Sequence, residues 1–182
     1  MENLGLPRDV GKLLDHQPAW DENARVTIQN LKTIFGGAAV DIQHVGSTAV
    51  RHIKAKPILD IAVGVRSFDA LSEAFQRLNT SGIYKSAKHA VPNDILYVIG
   101  DYASDTRTHH IHIVGFGSPE WCNYINLRDY LNACPERAAA YEKLKMELAE
   151  RYPDDRVAYT EGKAEFITAC FAEASAFAEK LT

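Results

Sequence analysis

Two hydrophobic periods share this chain, and the points where one gives way to the other mark its elements. After Pro18, the apolar residues Trp20, Val26, Ile28, Leu31 and Phe35 recur near helical spacing, predicting a helix that Gly36-Gly37 ends. Ala38 to Val45 reads as a first core strand. Pro57 to Val65 is nearly all apolar and predicts a central strand buried on both faces. Ser67 is placed to cap a helix carrying Phe68, Leu71, Phe75 and Leu78, which Asn79 to Gly82 closes. Between Ile83 and Val114 the pattern turns to strands, at Ile83-Tyr84, Ile95 to Ile99 and Ile111 to Val114, with turn-rich stretches between them that predict antiparallel neighbours. Ser118-Pro119-Glu120 starts a helix reaching about Asn132, because Ser caps, Pro tolerates the first helical position and an acid suits the positive helix end. Pro135 opens another, with Tyr141, Leu144, Leu148 and Tyr152 as its stripe. A last helix follows Asp154-Asp155 and runs to near Lys180, and Val10 to Leu14 is a short edge-strand candidate.

One junction in this pattern carries chemistry. The apolar run at Val45 ends in Gly46-Ser47, and turn amides with a hydroxyl suit an anion because unpaired N–H groups there carry partial positive charge. Lys54 and Lys56 add formal charge. Asp60 then stands in an otherwise apolar strand, where an unpaired carboxylate is costly, so it is expected to face a cleft, a metal or a cation. The loop between Ser47 and Asp60 is long enough for the turn and the strand to return to one sheet edge.

Composition narrows the class. With 182 residues, 46% of them hydrophobic and 24% charged, and no repeat or low-complexity linker, one domain over residues 1–182 is expected. The net charge of −4 gives no global attraction to polyanions, which argues against nucleic acid as a partner and suits a nucleotide better. Cys122, Cys134 and Cys170 are odd in number and far apart, so buried thiols in a reducing compartment are expected. No uncharged apolar run reaches spanning length, and the amino terminus has neither a signal-peptide nor a transit-peptide pattern. The expectation is a cytoplasmic protein without a membrane partner.

His44-Val45-Gly46-Ser47-Thr48-Ala49-Val50, followed by Ala55-Lys56-Pro57-Ile58-Leu59-Asp60-Ile61, resembles the signature of the GrpB family, a branch of the nucleotidyltransferase superfamily. The resemblance continues through Thr108-His109-His110-Ile111-His112-Ile113-Val114, Gly117-Ser118-Pro119-Glu120-Trp121, Leu127-Arg128-Asp129-Tyr130-Leu131 and Tyr159-Thr160-Glu161-Gly162-Lys163. It implies an α+β fold: a mixed, mainly antiparallel sheet of about five strands, with early helices on one face and the carboxyl-terminal helices completing a cleft. It also implies nucleotide and divalent-metal chemistry, with Asp60 catalytic and metal-binding. Gly46, Ser47, Lys56, Lys163 and Arg128 are then the phosphate-binding candidates.

The chain departs from the superfamily at Ala62, where many nucleotidyltransferases carry a second acid on the same strand face. His110 and His112 share one face by the two-residue period while His109 points the other way. If that face adjoins Asp60, the ligand set becomes one carboxylate and two imidazoles, which suits manganese, iron or zinc better than magnesium. The plainer role for both histidines is hydrogen bonding to carboxylates or backbone. His44 is a weaker candidate, and His16, His52 and His89 are expected in loops or at the surface. Arg51-His52 replaces the Pro-Gly frequent after this motif. The leading expectation is transfer of a nucleotidyl group from a nucleoside triphosphate to a small-molecule or protein acceptor the sequence does not name, assisted by a divalent ion, magnesium or manganese, with zinc as a further candidate. The alternative is a nucleotide- or metabolite-binding module that has lost the chemistry.

Overall fold

The computed structural model describes residues 4–7, 12–87, 91–101, 103, 104 and 106–181. Strand β1 is Leu6–Pro7 and helix α1 is Pro18–Phe35, followed by β2 at Ala39–Val45 and β3 at Leu59–Val65. Helix α2 (Ser72–Thr80), β4 (Tyr84–Lys85), β5 (Asp94–Asp101) and β6 (Thr106–Gly115) come next. Four helices complete the chain: α3 (Pro119–Ala133), α4 (Pro135–Arg151), α5 (Arg156–Glu161) and α6 (Ala164–Glu179). The sheet order is β2-β3-β6-β5-β4, with β1 attached to β6. All pairings are antiparallel except β3 with β6, which is parallel and therefore needs the crossover through α2, β4 and β5. The expected mixed, mainly antiparallel sheet is the one observed.

Strand β3 is central because it has something to bury on both sides. Leu59, Ile61, Val63 and Val65 join Trp20, Ala24, Leu31 and Phe35 of α1 and Leu78 of α2 in the larger core. Each fully buried Leu or Ile there contributes about 1.5–3 kcal/mol. The opposite face is shorter of side chains: Ala62 packs with Val45, Val114 and Trp121. At Gly64 an added Cβ would lie 2.8 Å from the Trp121 ring, so the glycine lets α3 lie close to the sheet. A third cluster of Val50, Ile53, Leu131, Ala138 and Tyr141 pins the loop after Ser47 to the helical half.

Several expectations need correction. Val26 is 46% exposed; the α1 stripe is carried by Ala24 and Thr27 instead. Ser67 does not cap α2, which starts five residues later; its hydroxyl accepts from the Asp69 amide and closes a turn. The last helix is two, broken at Gly162, where an added Cβ would meet Leu148 at 2.5 Å, so α4 packs against the break. His16 lies in the loop before α1, as expected, but is largely enclosed there, edge-on to Trp20 at 5.5 Å. Of the cysteines, all free, only Cys170 is buried. The Val10 to Leu14 run lies partly outside the described residues, as does His89; within the described part Leu14 makes an isolated bridge with Ala55.

Candidate functional site

The site sits where β2 ends and β3 and β6 begin. Register places it: Asp60 lies opposite Val45 on one side and opposite His110 on the other, while Ala62 lies opposite His112. In-register parallel strands put Asp60, His110 and His112 on one sheet face, and α3 covers that face. Gly46 makes room. Its φ is +70°, and an added Cβ would stand 2.2 Å from Asp60 Oδ2, so both the turn and the carboxylate's position require glycine.

Asp60 Oδ1 lies 3.0 Å from His110 Nδ1 and 3.7 Å from His112 Nε2. Burial pushes the Asp60 carboxyl up, but hydrogen bonds and charge from His110 and His112 outweigh it and hold the group well below the usual carboxylate range. An ionised carboxylate only accepts, so His110 Nδ1–H donates to it. The other nitrogen, Nε2 of His110, is buried with no hydrogen-bond partner among the described residues. Ligand atoms of Asp60, His110 and His112 all lie within 4.8 Å of one another. An orphaned imidazole nitrogen beside a carboxylate and a second imidazole fits a divalent transition ion.

His112 is held from its far side too. Its Nδ1 lies 3.0 Å from Asp94 Oδ2 and 2.8 Å from the Tyr124 hydroxyl, which donates to that same Asp94 oxygen at 2.7 Å. The Asp94 side chain is 1% exposed. Burial pulls the His112 imidazole down, yet hydrogen bonds and charge from Asp60 and Asp94 outweigh it and push the ring up to about 9. His109, on the other face, meets the Thr27 hydroxyl at 3.0 Å, and burial, with His44 and His110 adding, lowers it to about 4.

A cavity of about 210 Å³ opens beside this cluster, walled by Gly46, Ser47, Asp60, His112, Tyr124 and Arg128 at its polar end and by Leu127, Leu131, Ile167 and Phe171 beyond. Arg128 is clamped: Nη1 donates to Gln43 Oε1 at 2.9 Å and to the His44 carbonyl at 3.1 Å, and Nε donates to Asp129 at 2.7 Å. It also borders an outer recess of about 440 Å³ with Arg51, His52 and His44. His44 contacts the Thr48 hydroxyl at 2.9 Å, and burial lowers it to about 4.

Ser47 connects the cavity to a cluster of cations. Its hydroxyl lies 3.4 Å from that of Tyr141, and the buried Lys145 stands over the Tyr141 ring at 4.6 Å while donating to the Lys54 carbonyl. Lys56 and Lys163 stand over one ring, Tyr159, at 4.0 and 4.7 Å. Burial and then Lys163 lower Lys145 to about 7, against the opposing pull of Glu142. Lys56 and Lys163 are thus grouped, but outside the lining of the smaller cavity. Lys54 is turned away to pair with Asp15. Sequence reasoning missed Asp94, Tyr124 and Lys145. Asp94 had a signal, an acid opening a strand beside the histidine strand, whereas nothing in the local sequence separates Lys145 from a solvated helix lysine.

Comparison with known proteins bears on this arrangement. The family model for GrpB protein matches residues 11–173. Glutamate-rich protein GrpB of Alkalihalophilus pseudofirmus is 37% identical over 167 residues, covering 90% of this chain and 95% of that one. Some relatives are longer: the chain spans 46% of YqkA from Bacillus subtilis, at 31% identity. Among solved structures, conserved protein GrpB from Enterococcus faecalis superposes with a TM-score of 0.82 at 30% identity, covering 90% of this chain and 96% of the other. The Cid1 poly(U) polymerase bound to MgGTP superposes with a TM-score of 0.51 at 14% identity, over 75% of this chain and 44% of that one, a likeness of nucleotidyltransferase fold alone. Matched over most of its length in model, sequence and structure, this chain belongs to the GrpB family.

Proposed function

We propose that the protein is a metal-dependent nucleotidyltransferase, moving a nucleotidyl group from a nucleoside triphosphate to a small-molecule or protein acceptor. The observation that carries the reading is the meeting of Asp60, His110 and His112, two of which, Asp60 and His112, line a cavity shared with the Gly46-Ser47 turn. In this reading those three residues hold a divalent ion, manganese or zinc in preference to magnesium. Such an ion supplies charge neutralisation at phosphate oxygens. Gly46 and Ser47 offer amides and a hydroxyl to phosphate, Arg128 a fixed guanidinium, and Lys56 and Lys163, with Lys145 behind them, a concentration of positive charge. The fold likeness to Cid1, solved with MgGTP, supports a nucleotide as partner. We take residues 1–182 as one domain, working in the cytoplasm. No helix among the described residues is long and apolar enough to cross a membrane, and the net charge of −4 speaks against a nucleic-acid partner.

One observation favours the second reading, a binding module without turnover. Ala62 is fully buried among Val45, Val114 and Trp121, so the position of the usual second acid is closed to a metal. Incubation with labelled nucleoside triphosphates, manganese and a cell extract as the source of small-molecule and protein acceptors separates the two: labelling of an acceptor with pyrophosphate release is expected, and saturable binding without release would replace transfer by binding. Calorimetry should also show triphosphate binding that Lys56→Ala weakens by about 1.5–3 kcal/mol. No binding of any common triphosphate with manganese, zinc or magnesium would overturn transfer and reduce the second reading to a metabolite-binding module.

A further inference from the structure

Asp94 opens β5 two strands away from Asp60, with β6 between them, so no motif joins them in sequence. They meet through one ring. His112 presents Nε2 toward Asp60 and Nδ1 toward Asp94, and the Tyr124 hydroxyl spans Asp94 and that same Nδ1. Asp94 as a carboxylate only accepts, and Tyr124 already donates to Oδ2, so the hydrogen between His112 and Asp94 sits on Nδ1. That fixes the tautomer and leaves the lone pair of the neutral ring on Nε2, on the Asp60 side. The Tyr124 ring packs at 4.8 Å from the imidazole and limits its rotation.

We propose that Asp94 and Tyr124 are positioning residues: they hold His112 so that Nε2 faces the ion site, and Asp94 delivers through the imidazole the negative charge that Ala62 does not supply. A divalent ion there meets two carboxylates, Asp60 directly and Asp94 at one remove. Carboxylate–histidine–metal relays of this kind raise ligand basicity and orient the ring. Burial of Asp94 follows from the same role. A nearly inaccessible acid in an otherwise apolar strand start costs desolvation, and its hydrogen bonds to Tyr124 and His112 offset that cost.

The inference rests on the metal reading above, and the experiment separates the two. Cobalt(II) and zinc affinities are measured by competition with a chelator, for the wild type and for Asp94→Asn and Tyr124→Phe, together with the cobalt d–d spectrum and the metal-free melting temperature. If the wild type binds neither ion, the metal reading fails before any variant is made. If it binds, Asp94→Asn should lose about 10- to 100-fold in affinity and alter the cobalt spectrum, and Tyr124→Phe should lose less. Wild-type affinity and an unchanged spectrum in Asp94→Asn would overturn the proposal. Should Asp94→Asn fail to fold, Tyr124→Phe decides, because its ring keeps the packing: unchanged affinity overturns the proposal, a loss at constant metal-free melting temperature supports it. Nitrogen-resolved NMR of the zinc-loaded wild type adds an independent check, with zinc on Nε2 and hydrogen on Nδ1 of His112 expected and the reverse overturning it.

Discussion

His109 and His112 occupy one strand, are both mostly enclosed, and are driven in opposite directions. On the α1 face, burial of His109 meets only the hydroxyls of Thr27 and Thr108 at its two nitrogens, and with His44 and His110 also lowering it the ring falls to about 4. On the α3 face the same burial meets two carboxylates, and His112 rises to about 9. Enclosure alone does not set the charge of a histidine; what stands at its two nitrogens does. The contrast also says what a metal must do to bind: displace a proton that Asp60 and Asp94 already hold in place. The pH window for binding therefore lies above the one an unperturbed histidine would set.

The largest effect should come from removing the carboxylate that makes the faces differ. Asp60→Ala is expected to lower zinc or manganese affinity at least about 100-fold, while His109→Gln stays within about twofold, by chelator competition at pH 7.5. Equal losses would erase the distinction between the faces. Next comes Gly46→Ala, which forces a side chain into a positive-φ turn against Asp60 Oδ2. The backbone alone should cost about 1–3 kcal/mol in chemical denaturation, and metal affinity should fall with it. A smaller effect is the pH dependence of the metal-free protein. A folded-state value above the unfolded one means that the His112 contribution is complete below about 6.5 and lost as pH rises to about 9. Asp60, held low, contributes above about 3.9 and loses that contribution as pH falls. Stability should therefore decline by on the order of 1–3 kcal/mol between pH 6.5 and 9, a decline absent in His112→Gln. An identical profile in that variant would assign the decline to another group. Smallest is His109→Gln itself, which disturbs the Thr27 and Thr108 contacts and should cost about 1 kcal/mol without moving that profile.

Much of this was legible in the residues, because the sheet obeys periods that a sequence displays. The uniform apolar run of β3, the alternation of His110 and His112 and the cap at Ser118 each translate into an observed element or face. The errors share a cause: local signals overruled by packing. Ser67 has a cap's chemistry but spends it on a turn, and Val26 falls on the solvent side once Ala24 and Thr27 take the close approach to the sheet. Asp94 and Lys145 escaped because their importance depends on partners distant in the chain, Tyr124 in one case and the Lys54 carbonyl in the other. No local spacing encodes such meetings.

The parallel pairing of β3 with β6 has a consequence for how the protein comes together. Asp60 and His110 are separated by 50 residues, and the chain between them runs out through α2, β4 and β5 before β6 returns to lie in register with β3. Contacts of that span are slow to close, since the loop entropy is lost before the pairing rewards it. Until then the chain offers an ion one carboxylate in one place and two imidazoles in another. An ion bound at the finished site has no equivalent in the unfolded chain, so it would add to stability in proportion to RT ln(1 + [M]/Kd) and slow the loss of the crossover. With an ion bound, the same three residues would act as a latch on the parallel pairing of β3 with β6.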